Sequence, residues 1–335
     1  MTTANIRDVA RRAGVSIATV SNVLNRPEQV ASTTRKRVLD AIAALGYIRN
    51  DSARQLRAGR SRQLAIVVLD LANPFFTDVV SGTESAVEDR DVMVIVCNSG
   101  ADAGRERRHL ELLAEQRVGG VLITPVDDGP GSGLDQLVRR GTPVVLVDRR
   151  SDRSNQCSVS VDDVLGGRLA GAHLGEQGHA RIAFVGGPFS VAQVVDRHTG
   201  FRAALEGIST VTVVETSTMS IAAGQSAAGQ IAELPARTRP SAVFCGNDLL
   251  ALGMLQELTR RGVRIPEDLA IVGYDDIAFA AAAVVPLSSV RQPREQLGRA
   301  AAQLLLEELE TGAGHEHRHI LFKPELVVRE SSSRR

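Results

Sequence analysis

Residues 6–25 read IRDVARRAGVSIATVSNVLN, and the spacing of their apolar residues decides how the chain begins to fold. Ile6, Val9, Ala10 and Ala13 fall on one face of a short helix, with Asn5 placed to cap it and Asp8 in the first turn, where negative charge is favoured. Gly14 permits a tight turn, Val15 plugs the core, and Ser16 is placed to cap a second helix whose inward residues are Val20, Val23 and Leu24. Helix, short glycine-containing turn and helix make the helix-turn-helix pattern. The outward face of the second helix carries Ile17, Ala18, Ser21, Asn22 and Asn25, with Thr19 beside them. In a recognition helix such short side chains meet base edges: the Ile17-Ala18 pair suits thymine methyls, and Asn22 can bridge adenine.

A third helix is expected from Ser32, read as its cap, with Thr34, Arg35, Lys36 and Arg37 at its basic end and Val38, Ile42 and Leu45 facing the core. Thr34, Arg35 and Tyr47 are assigned to backbone phosphates, which set affinity and position rather than sequence preference. Residues 50–58 can form one more short helix, capped by Asn50 or Asp51 and ending before Gly59. At about eight residues it is marginal alone in water and needs a partner or DNA to form.

Charge divides the chain in the same place. The net charge is zero, yet residues 1–62 hold 12 Lys/Arg against 4 Asp/Glu, and the remainder 27 against 35. A basic segment ahead of an acidic body is the footprint of one end that meets phosphates and another with a different task. Cys97, Cys157 and Cys245 are far apart, with no CxxC pair and no His/Cys cluster in sequence, so neither a disulfide framework nor a metal site is indicated, and a reducing compartment fits. The opening residues show no apolar export segment, and no stretch approaches the roughly 20 apolar residues of a membrane span. A cytoplasmic protein is expected.

From about residue 63 the pattern changes to short apolar runs, LAIVVL, VMVIVC, GGVLIT, PVVLVD, RIAFVG, SAVFCG and LAIVGY, separated by helix-length segments. This alternation predicts parallel sheets in a doubly wound α/β architecture, with ligands beyond the carboxyl ends of the strands. Polar and aromatic residues gather at those ends: Asn73-Pro74-Phe75-Phe76, Asn98-Ser99, Pro125, Asp148-Arg149, Asn247-Asp248 and Asp275-Asp276. Two groups of strands, with extended segments near 155–161 and 287–292 as crossovers, predict two lobes and a cleft.

The run DVARRAGVSIATVSNVLN, followed by TRKRVLDAIAALGYIRNDSARQL, closely resembles the headpiece of LacI/GalR-family repressors. The similarity continues through NPFF at 73–76, RHTGF at 197–201, CGNDLLALG at 245–253, VGYDD at 272–276 and PELVVRES near the end. The resemblance implies an all-α helix-turn-helix headpiece (1–49), a hinge helix and linker (50–60), and a two-lobed α/β domain like the type I periplasmic binding proteins (61–335). In that domain the first lobe takes about 61–160 and 292–322, the second about 161–291 and 323–330.

The resemblance also implies site residues. In the hinge, Asn50, Arg54 and Leu56 would meet DNA, Leu56 as a wedge in the central base step, the lesser alternative being a leucine that packs the hinge against the core. In the cleft, Phe75 and Phe76 would wall an effector, Arg197 clamp it, and Asn247 and Asp275 hydrogen-bond it, with Pro125, Arg149 and Met219 completing the set. A planar Arg fork with a fixed carboxylate suits vicinal hydroxyls, and an aromatic face suits the apolar side of a sugar. The chain has no Trp, a frequent stacking residue in sugar sites, so the sugar's identity is open. Arg197 and Asp275 can also be read as structural residues, and Asp248 or Asp276 as helix caps.

Other functions fit less well. Gly166-Gly167, Gly186-Gly187 and Asp275-Asp276 lack the spacing of a dinucleotide loop, a P-loop or a nucleophile elbow, so no enzyme and no cofactor is expected. A transport-type binding protein has no use for the basic headpiece. A repressor is expected by resemblance, an activator being equally compatible with the residues. One headpiece reads few bases, so a homodimer on an inverted repeat is expected, and no leucine heptad follows PELVVRESSSRR to extend it.

Overall fold

The structure, a computed structural model, describes residues 4–47, 61–126, 129 and 131–333. The hinge expected at 50–58, with Asn50, Arg54 and Leu56, lies outside the described residues. The chain separates into two units, Met1–Arg60 and Ser61–Arg335.

In the first unit, α1 (Ile6–Ala13), α2 (Ile17–Asn25) and α3 (Ser32–Leu45) close over Val9, Val20 and Val38, all fully buried. The Asn5 side chain accepts from the amides of Arg7 and Asp8, and the Asp8 carboxylate accepts from the Asn5 amide at 3.0 Å, a reciprocal cap. Gly14 ends α1 at φ 63°, a left-handed position that glycine adopts without penalty. Ser32 does not cap α3. The 3-10 turn Pro27–Gln29 delivers the chain so that Ala31 holds the cap position, and Ser32 already lies in the first helical turn.

The second unit runs β1 (Gln63–Val68), α4 (Pro74–Val87), β2 (Met93–Asn98), α5 (Ala103–Glu115), β3 (Gly120–Ile123), α6 (Gly133–Arg139), β4 (Val144–Val147) and β5 (Ser158–Val161). It continues with α7 (Asp163–Glu176), β6 (Arg181–Gly186), α8 (Ala192–Leu205), β7 (Thr210–Glu215), α9 (Ile221–Glu233), β8 (Ala242–Cys245), α10 (Asp248–Arg260) and β9 (Ala270–Asp275). The remaining elements are α11 (Ala278–Ala282), β10 (Ser288–Arg291), α12 (Arg294–Thr311), β11 (His319–Phe322) and β12 (Glu325–Val327).

Two six-stranded sheets result among the described residues, in the orders β11-β5-β4-β3-β1-β2 and β12-β10-β9-β8-β6-β7. Every pairing is parallel except β10 with β12. The chain passes between the sheets three times, after β5, after β10 and after β11. Apolar side chains cover both faces of each sheet, as parallel sheets require.

Three helix pairs are set by glycine. A Cβ at Gly167 would fall on the Arg197 carbonyl and one at Gly200 on the Val164 carbonyl, so α7 and α8 touch backbone to backbone. Gly224 and Gly253 do the same for α9 and α10, and Gly82 and Gly298 for α4 with α12. None of the described helices is long and apolar enough to cross a membrane.

Candidate functional sites

On the headpiece, α2 presents Ile17 at 45% exposure, with Ala18, Asn22 and Asn25 also exposed and Thr19 and Ser21 half-buried. Ser16 fixes the start of this helix, its Oγ accepting from the Thr19 amide at 3.0 Å and lying 2.9 Å from the Thr19 hydroxyl. The Asn25 amide donates back to the Ser21 carbonyl at 2.8 Å and lies 3.2 Å from its hydroxyl, so that pair is engaged within the helix. Ile17 is the large apolar side chain that this face leaves exposed. Thr34 is half-buried and Arg35 exposed at the start of α3; Tyr47 packs partly against the headpiece core.

In the second unit a cavity of about 390 Å³ opens at the carboxyl ends of both sheets. Residues that follow β1, β2 and β4 form one wall, and residues that end or follow β6, β7, β8 and β9 the other. Of the residues expected there, Phe75, Phe76, Arg197, Met219, Asn247 and Asp275 line it. Pro125 and Arg149 do not. Pro125 is half-buried after β3; the Asp196 carboxyl is raised by burial and by Asp163, the Arg149 charge relieving part of this. The adjacent residue, Asp148, takes the wall instead.

The aromatic part is compact. Phe75 and Phe76 are both buried, with ring centroids 4.9 Å apart and edges meeting faces, and they stiffen the start of α4. Asn73 caps that helix by accepting from the Phe75 amide at 3.0 Å.

The polar part is a buried charge array. The Arg197 guanidinium lies 3.8 Å above the Tyr274 ring, donates from Nε to Asp163 at 2.8 Å and from Nη1 to the Gly246 carbonyl at 2.8 Å. Tyr274 donates to the same Asp163 oxygen at 2.7 Å. Burial opposes the Arg197 charge, but Asp163, Tyr274 and Asp275 outweigh it, and the guanidinium is held more firmly protonated than usual. Asp275 accepts from Gln292 at 2.8 Å and from Asn73 at 3.1 Å; burial nonetheless pushes its carboxyl up. Asp148 is pushed well above the usual carboxylate range by burial and by Asp163, Arg197 relieving part of this. Gln193 donates to Asp148 Oδ2 at 3.1 Å, while Asp148 Oδ1 is buried with no hydrogen-bond partner. Both aspartates have positive φ, 54° at Asp148 and 108° at Asp275, an uncommon backbone for non-glycine residues that clusters at ligand sites.

Asn247 is occupied locally: it caps α10 by accepting from the Leu250 amide at 2.9 Å and donates to the Met219 carbonyl at 3.1 Å. Asp248 accepts from the Ile277 amide and the Ser289 hydroxyl, and Asp276 pairs with Arg291 and Arg329, so both brace the second sheet. Asp148 precedes Arg149 at the end of β4 and shares its strand-end signal. Gln193 carries no such signal, because the start of α8 reaches the cleft only through tertiary packing; Asp163, at the start of α7, and Tyr274, in β9, stand behind the lining and hold Arg197.

Comparison with known proteins agrees with this arrangement. Residues 5–50 match the model of bacterial regulatory proteins of the lacI family, and residues 172–332 that of a periplasmic binding protein-like domain. The chain is 35% identical to the HTH-type transcriptional repressor PurR of Vibrio cholerae, over 98% of each chain. Among solved structures it is similar to the lac repressor dimer bound to operator and the anti-inducer ONPF, with TM-score 0.82, 28% identity and 99% of each chain covered. It is also similar to the transcriptional regulator CelR in complex with cellobiose, with TM-score 0.69, 32% identity, and 98% of this chain and 100% of that one covered.

Proposed function

Because the chain belongs to the lacI family of bacterial regulatory proteins, and is a DNA-binding transcriptional repressor of that family, we propose that it binds a palindromic operator as a homodimer under the control of a sugar-class effector in the cleft. The observation that carries the effector reading is Asp148. A buried carboxylate oxygen without a partner is costly, and a ligand hydroxyl that donates to it removes the cost. Around it stand Asp275, an acceptor that favours a donor-rich ligand, and the Phe75-Phe76 wall, which suits a C–H face. A cavity of about 390 Å³ is at the small end of ligand sites, which run from roughly 300 to 1,000 Å³.

On the headpiece, Ile17, Ala18 and Asn22 read base edges, Ser21 and Asn25 support them, and Thr34, Arg35 and Tyr47 meet phosphates. Exposed apolar residues in the second unit, including Met93 on the edge strand β2, Phe279 and Val284, support pairing with a second copy. Effector and operator bias one equilibrium and are therefore reciprocally coupled.

The test is a thermal-shift screen of sugars and nucleosides on the whole chain, with sedimentation to report its assembly. A ligand at 100 times its Kd stabilises by about 2.7 kcal/mol. A sugar hit that Asp148→Ala abolishes supports the reading; stabilisation by nucleosides alone overturns the ligand class.

A further inference from the structure

The residues that read in sequence as unrelated, Cys157, Glu308, His315 and His317, each bring one potential ligand atom to a single point, all within 4.8 Å of one another. Cys157 immediately precedes β5, Glu308 is in the last turns of α12, and the two histidines lie in the connection to β11. The cluster therefore sits at the amino ends of β5 and β11, whereas the cleft lies at the carboxyl ends of the strands.

Its geometry is close to what a tetrahedral ion requires. With Zn–S near 2.3 Å and Zn–N near 2.0 Å, sulfur and nitrogen ligands of a tetrahedral ion lie about 3.5 Å apart. Cys157 Sγ is 3.1 Å from His315 Nε2 and 3.7 Å from His317 Nδ1. The imidazoles meet edge to face with centroids 5.0 Å apart, so neither blocks the other's nitrogen. The Arg318 amide donates to Cys157 Sγ at 3.5 Å, the kind of outer support that ligating sulfur uses.

A second, independent observation is Glu308: its Oε2 is buried with no hydrogen-bond partner. A thiolate and a carboxylate together neutralise a divalent cation. One sulfur, two imidazole nitrogens and one carboxylate oxygen favour a borderline-soft metal over calcium or magnesium.

We propose that Cys157, Glu308, His315 and His317 bind one zinc-class divalent ion per chain. The ion fastens the connection after α12 to the start of β5. It thereby ties together β5 and β11, the two neighbouring strands from which the chain leaves the first sheet for the second. The site is separate from the effector reading and stands or falls without it.

The experiment uses the whole, tag-free chain, stripped by chelator dialysis and titrated with Co²⁺. One equivalent is expected to give the visible bands of tetrahedral cobalt together with a near-ultraviolet thiolate charge-transfer band, both displaced by Zn²⁺. Cys157→Ser should lose the charge-transfer band. The double variant His315→Ala/His317→Ala, altered only at half-buried positions, should bind on the order of 100-fold more weakly or worse, since changes to outer-shell groups alone cost 10 to 100-fold. Circular dichroism of the stripped variants confirms that they fold. Absence of the thiolate band at one equivalent overturns the proposal, leaving a thiol–imidazole hydrogen-bond cluster; so does an unchanged spectrum and affinity in the double variant.

Discussion

Asn73 and Asp275 stand 202 residues apart in the chain and meet across the cleft, the amide of the first donating to the carboxylate of the second at 3.1 Å. Gln193 and Asp148 make a matching bridge from the second lobe to the first. The lobes are thus held by side chains that also form the cavity wall, and a ligand that engages either carboxylate alters the contact between lobes.

Asp275→Ala should therefore abolish the change in operator affinity that the effector produces in wild type, a change typically of 5 to 150-fold. Asn73→Ala removes the bridge but keeps the carboxylate, so it should retain effector binding while altering the size of the response. Fluorescence anisotropy with labelled operator, with and without the screened ligand, measures both. A wild-type response in Asp275→Ala would show that the ligand binds elsewhere.

Asn22→Ala should cost about 1–3 kcal/mol on the cognate operator and relax preference at one position per half-site. Selection from a randomised operator library reads this directly, and an unchanged consensus sinks the assignment of Asn22 to base reading.

Asp148 makes stability depend on pH with a definite sign. Its carboxyl is raised by burial and by Asp163, so the folded protein binds that proton more tightly than the unfolded chain does. The associated stabilisation is fully present below the unfolded value of about 4 and is lost as pH rises through the folded value. Asp148→Asn should consequently raise the thermal midpoint of the ligand-free protein more at pH 7 than at pH 4. An equal shift at the two pH values would refute the assignment.

Two glycine substitutions should have opposite signs. Gly167→Ala drives a methyl into the Arg197 carbonyl, forcing α7 from α8; overpacking of this kind costs about 1–3 kcal/mol or more, and it should also weaken effector binding by displacing Arg197. Gly229→Ala meets only the end of the flexible Arg261 side chain and should be neutral or stabilising by up to about 1 kcal/mol through helix propensity. Urea midpoints of the two variants test the pair.

The headpiece was legible because its signals are local: Asn5, Asp8, Gly14 and Ser16 each act within four residues. Ser32 misled because cap position depends on how the preceding 3-10 turn delivers the chain. The apolar strands were equally plain, but β7, β11 and β12 are sheet edges with no fully buried residue. In the cleft, strand-end residues could be named from the sequence, whereas Gln193 comes from a helix whose placement is fixed where Gly167 and Gly200 let α7 and α8 touch. Cys157 and His315 were invisible as a pair because β5 and β11 become neighbours only after the chain has crossed between lobes twice.

The order of the strands has a consequence for synthesis. β11 and β12 follow every other strand in the chain, yet one completes the edge of the first sheet and the other the edge of the second. Neither lobe can finish folding on the ribosome ahead of its partner: both wait for the same few residues, 319–327, to emerge. A nascent chain halted before them presents two open sheet edges at once, so an incomplete product is exposed to aggregation and proteolysis rather than released as a partly working regulator.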